Sequence, residues 1–159
     1  MKRGPVLFLK GVILLIGSAA LVLMIRLPLT EGRAANLDLL QVYADPFIMY
    51  GYVASLPFFV ALYQAFTLLG YIGGIKAFSR NSVNALKTIK YCAILESAFI
   101  VMAALYIRMF HAQDDDPAGF IALCIATTFL SIVIATATAV FEKLLQNDVE
   151  MKSGNDPMV

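Results

Sequence analysis

This sequence has little charge and few of the residues that usually carry chemistry. Of 159 residues, 14% are Asp, Glu, Lys or Arg, one is histidine and two are cysteine. With His111 alone, no multi-histidine metal site can form. No CxxC pair, Ser/His/Asp constellation or phosphate-cradling glycine loop is present either. Cys92 and Cys124 are expected to be small packing residues at different depths, about 20 Å apart, too far for a disulfide. These shortages argue against an enzyme and give no reason to expect a cofactor or a metal. Direct nucleic-acid binding is not expected, because the basic residues are split between two segments where membrane topology alone would put them.

What the chain does have is apolar length. Hydrophobic residues make up 60% of it and its mean hydropathy is +0.80, well above a soluble domain. A helix needs about 20 apolar residues to cross roughly 30 Å of hydrocarbon, so at most five or six spans would fit. The stretches without Asp, Glu, Lys or Arg are residues 11–25, 47–75, 91–107 (broken only by Glu96) and 117–141. The expected fold is therefore all-α: a single integral-membrane four-helix bundle over residues 1–159. Its spans should lie near 6–25, 47–70, 91–107 and 117–141, followed by a helical or flexible tail at 142–159. Lys10 can keep its charge at the headgroups while its stem lies in apolar surroundings. Gly70, Gly73 and Gly74 mark the expected end of the second span.

Positive charge in short loops stays on the cytoplasmic side. Residues 1–10 carry Lys2, Arg3 and Lys10, and residues 76–90 carry Lys76, Arg80, Lys87 and Lys90, with no acid in either segment. The segments after the first and third spans are net acidic, with Glu31, Asp38 and Asp45 against Arg26 and Arg33, and Asp114, Asp115 and Asp116 against Arg108. Both termini are thus expected in the cytoplasm. Met1-Lys2-Arg3 before an apolar run also resembles a signal peptide, but Lys10 interrupts the run and large residues occupy the cleavage positions, so a retained anchor is expected. Asp116-Pro117 reads as a helix cap followed by a first-turn proline. Ser79 reads as a second cap, starting the third helix two to three turns before the lipid.

Glu96 is the lone carboxylate within a span, and an ionisable group there faces protein or water rather than lipid. Glu96 lies six residues after Lys90 and Gln64 six before Gly70, which suggests equal depth and a hydrogen bond between them. The same pair could instead serve proton or ligand binding in a small transporter. Thr127, Ser131, Ala135 and Ala139 recur every four residues as a small-residue packing stripe on the last span. Gly51 and Ser55 repeat the spacing on the second, serving intramolecular packing or a homodimer. His111 with Asp114, Asp115 and Asp116 reads as a solvated acidic loop rather than a metal site.

The runs Pro57-Phe58-Phe59, Ala61-Leu62-Tyr63-Gln64-Ala65-Phe66, Lys76-Ala77-Phe78-Ser79, Ile89-Lys90-Tyr91-Cys92-Ala93 and Phe141-Glu142-Lys143-Leu144-Leu145-Gln146 resemble the bacterial domain-of-unknown-function family 2975. The resemblance implies a four-span protein of the bacterial cell membrane, commonly encoded beside a small helix-turn-helix regulator of the Cro/CI type. It extends to the tail, where Gly154, Pro157 and Met158 stand in place of the family's Glu, Leu and Thr. The expected role is regulatory or interactive, with the lipid bilayer and such a regulator as partners. Arg80, Lys87, Lys90 and Glu142 form the candidate partner face, where the basic 76–90 segment and the acidic tail can clasp each other. The alternative is a transporter or channel component using Glu96 and Gln64.

Overall fold

The computed structural model describes residues 3–30, 45–72, 79–110 and 118–154. They form four helices: α1 (Arg3–Thr30), α2 (Pro46–Ile72), α3 (Arg80–Phe110) and α4 (Ala118–Gly154), with no strand among the described residues. Each contains a stretch long and apolar enough to cross a membrane. All four expected spans are present; α1, α3 and α4 outlast their uncharged runs, whereas α2 is described to Ile72, within its own. Lipid sets the limit for charge, whereas backbone hydrogen bonding continues into the headgroup region and beyond.

The starts have identifiable causes. Phe47 N–H donates to Asp45 Oδ1 at 2.8 Å and Met49 N–H to the Asp45 carbonyl at 3.0 Å. Asp45 thus caps α2, and Pro46 takes the first helical position, where a missing N–H costs nothing. This is the Asp-Pro signature read from the sequence at 116–117 and not at 45–46. Its counterpart Asp116-Pro117 lies outside the described residues, as do His111, Asp114 and Asp115. Ser79 caps α3 as expected: the Ser82 N–H reaches the Ser79 carbonyl at 3.0 Å and Oγ at 3.4 Å.

The helices pack in chain order, α3 most extensively on α4, then α2 on α3, then α1 on α2. Among the described residues, α1 does not touch α4. Consecutive helices are antiparallel, so the beginnings of α1 and α3 and the ends of α2 and α4 share one side, here called the inner end. The α1 side chains turned toward protein are Val6, Lys10, Ile13, Gly17, Ala20 and Met24, alternating four and three residues apart, as in left-handed helix pairs. The α4 seam follows the same rule through Cys124, Thr128, Ser131, Ala135, Thr138, Glu142, Leu145 and Val149. This differs from the four-residue stripe expected there: Thr127 is exposed, while Ala135 and Thr138 are buried. At 3.6 residues per turn, a strict four-residue spacing drifts off the contact line, and the seven-residue alternation stays on it.

The tightest packing is at the inner half, where Ser82, Ala85, Leu86, Ile89 and Ala93 of α3 are buried. Elsewhere large apolar side chains point outward; Leu7 is 75% and Phe129 69% exposed. In water such a surface would aggregate, but in a bilayer it is the side that meets lipid.

Candidate functional site

Two places combine polar chemistry with packing, one in the membrane interior and one at the inner end. The interior site starts from α2, whose tyrosines reach both neighbours. Tyr52 Oη donates to the Met24 carbonyl of α1 at 3.1 Å, and Tyr50 Oη donates to the Phe99 carbonyl of α3 at 2.7 Å. The Tyr50 ring also meets Phe99 edge-on, with centroids 5.9 Å apart. Hydrogen bonds between membrane helices contribute about 0.6 kcal/mol on average and up to about 1.7. Tyr50→Phe and Tyr52→Phe are each expected to lower stability by about that amount, in a steric-trapping or detergent-unfolding measurement. Nothing in hydropathy reveals these bonds, although two tyrosines two residues apart on one span were a visible signal.

Glu96 lies beside this contact on α3, near enough to Tyr50 and Cys92 to act on them electrostatically. Its Oε2 is buried and, among the described residues, accepts no hydrogen bond. The sequence reading placed Gln64 opposite it, and the structure does not bring the two together. Phe47 stacks on Tyr106 with centroids 6.2 Å apart, and Tyr50 bonds at Phe99. This antiparallel register sets Glu96 level with the stretch from Val53 to Pro57, leaving Gln64 about 10–16 Å farther toward the inner end. The depth estimate failed because it equated Gly70 with Lys90, whereas α2 continues to Ile72 and α3 already begins at Arg80. Pro57 is buried within α2. Lacking an N–H, it leaves the Val53 carbonyl without its helical donor at the depth of Glu96.

At the inner end, Lys90 Nζ donates to Glu142 Oε2 at 2.6 Å, joining α3 to α4. The side chains are 22% and 13% exposed, so the pair is largely enclosed by the helices that carry it. Lys90 Nζ also lies 5.1 Å from the Tyr91 ring centroid. Of the four residues expected to form a partner face, Lys90 and Glu142 thus meet each other. Arg80 and Lys87 are exposed on the same stretch of α3. Beyond Glu142 the α4 helix continues to Gly154, about 18 Å farther, with Leu144 and Met151 exposed and Gln146 donating to Glu150 at 3.2 Å. Lys10 of α1 stands over the Phe66 ring at 4.7 Å, so its charge rests on an aromatic face of α2. Cys92 and Cys124 are both free.

Comparison with known proteins agrees with a membrane protein. No solved structure matches the chain. The "Uncharacterized membrane protein YoaS" of Bacillus subtilis (strain 168) is 42% identical over 158 residues, covering 98% of each chain. Residues 3–159 match the family described as protein of unknown function, DUF2975. With nearly its whole length matched, and four apolar helices of the expected kind, the chain belongs to the DUF2975 family of membrane proteins.

Proposed function

We propose that this chain is a non-enzymatic interaction protein of the bacterial cytoplasmic membrane, with both termini in the cytoplasm. Its working surface is the inner end of α3 and α4, and its partner is a small cytoplasmic regulator of the helix-turn-helix kind suggested by the family resemblance. The observation that carries this reading is the Lys90–Glu142 ion pair. It fastens together the two inner segments that extend past their uncharged runs, with Arg80, Lys87, Leu144 and Met151 exposed around it. Such a mixed surface offers charge for orientation and apolar side chains for contact.

The test is co-purification of the regulator from membranes, using wild type and a variant with Arg80, Lys87 and Lys90 changed to Gln. Capture is expected with wild type and loss with the variant. Failure of correctly oriented wild type to capture any cytoplasmic protein, under crosslinking that does capture known membrane complexes, would falsify the proposal. Those lysines and arginine also steer insertion, so orientation is read in the same samples. Reporters fused after Lys90 and Gln146 are expected to be cytoplasmic, and reporters near Asp38 and Asp115 external. An external C-terminus would overturn the orientation.

One observation favours a second reading, a small transporter or channel component. The unpaired buried Oε2 of Glu96 lies at the depth of Pro57, and an ionisable group beside an interrupted helix suits ion or proton binding. Gln64 is too far from Glu96 to share that site. Glu96→Gln keeps the shape and removes the charge, so loss of a proton-coupled flux at normal abundance would support this reading, and unchanged flux would remove it.

A further inference from the structure

Along the outer half of the α3–α4 pair, Ile107 and Cys124 are buried in the seam, and a groove opens beside it on the surface. This groove is a cleft of about 400 Å³, floored by Ala104, Cys124 and Thr128 and reaching from Arg108 to Val101 and Ile132. Small residues on facing helices ordinarily let them approach. Beside that approach they leave a slot, walled by Leu105, Ile125 and Phe129, which are 54%, 67% and 69% exposed on the lipid-facing side. Its lining is apolar apart from Thr128 on the floor and Arg108 at the outer end.

We propose that this slot holds one acyl chain of an anionic phospholipid whose phosphate pairs with Arg108. Size decides between a chain and a helix. From Arg108 to Val101 is about 10 Å along α3, which lies within the roughly 15 Å of one leaflet. On α4 the lining runs from Ile121 to Ile132, about 16 Å, and the cleft volume spread over that length leaves a cross-section of roughly 25 Å², well under half that of a helix about 10–12 Å across. A hydrocarbon chain therefore fits where a partner helix does not. Charge decides the headgroup. Arg108 is exposed at the end of the slot, where a guanidinium matches a phosphate with paired N–H donors, and a lipid whose phosphate is not neutralised by a choline cation keeps the net negative charge that such a site favours. The lipid would belong to the leaflet at which α3 ends.

The test reconstitutes the full chain in nanodiscs of equal phosphatidylglycerol and phosphatidylcholine, extracts it gently and counts retained lipid by native mass spectrometry. Wild type is expected to retain phosphatidylglycerol in preference. Arg108→Gln should lower that retention roughly fivefold, equivalent to about 1 kcal/mol at one membrane-surface arginine. Arg26→Gln removes a charge at the same end of α1, away from the slot, and should leave retention unchanged. Thr128→Phe obstructs the slot and should lower retention with Arg108 intact; if that variant is not monodisperse, Ala104→Val makes the same test. Equal retention of both lipids by wild type, or equal loss in Arg108→Gln and Arg26→Gln, would leave only annular lipid and overturn the proposal.

Discussion

Glu96→Leu is expected to raise stability by about 1–3 kcal/mol, the cost of keeping one buried polar atom without a partner. The usual outcome of deleting a buried carboxyl is the reverse, because its partners are left exposed to apolar surroundings. At Glu96 the orphan is the carboxylate oxygen itself, since Oε2 accepts no hydrogen bond among the described residues, and leucine fills similar space without a polar atom. Gln64, too far along α2 to be its partner, loses nothing. Glu96→Gln preserves a polar group in the same place and should be close to neutral. The readout is the midpoint of unfolding in detergent or bicelles for the three proteins together. A destabilised Glu96→Leu would mean that the carboxyl is satisfied in the membrane and serves packing. A stabilised one leaves Glu96 without a folding role.

Ala135→Leu should lower stability by about 1–3 kcal/mol, because a larger side chain on the α3–α4 seam forces the helices apart. Ala135 is 9% exposed and Thr138 7%, so Thr138→Leu is expected to be damaging as well. By contrast Thr127→Leu, on the four-residue stripe but exposed, should be nearly neutral. Among the described residues the Thr127 hydroxyl bonds only to carbonyls of its own helix, at Leu123 and Cys124, and leucine is at home against lipid. The two spacings therefore make opposite claims about residues 127 and 138. If Thr127→Leu were the damaging change, the seven-residue seam would be wrong.

The four helices were legible because the hydrocarbon thickness imposes a minimum apolar length that little else produces, and residues 11–25, 47–75, 91–107 and 117–141 meet it or nearly so. Ser79 was legible as a cap because a side-chain oxygen at that position has one local use. Register was not legible. Charges bracket a span only to within two or three turns: α2 is described to Ile72, among the glycines that suggested its end, but Lys90, read as the start of the third span, lies ten residues inside α3. That error moved Gln64 to the depth of Glu96. Lys90 and Glu142 were legible as candidates from charge alone, but their meeting depended on the α3–α4 register, 52 residues apart in sequence. Tyr50 and Tyr52 were missed because tyrosine in a span looks like any other large side chain until a neighbouring carbonyl is placed beside it. The slot at Arg108 was beyond reach for another reason: small residues announce close packing, and only coordinates show where a groove opens beside it.

The most direct measurement of the proposed interaction surface places a photoreactive amino acid, one position at a time, in the chain expressed in living cells. Positions 87, 144 and 151 report the inner end of α3 and α4, and positions 102 and 125 the opposite half of the same helices. If the inner end is the working surface, the first three should give a common adduct with one cytoplasmic protein, and the last two should give adducts with lipid or none. Adducts with a protein partner from positions 102 and 125, with none from 87, 144 and 151, would contradict it.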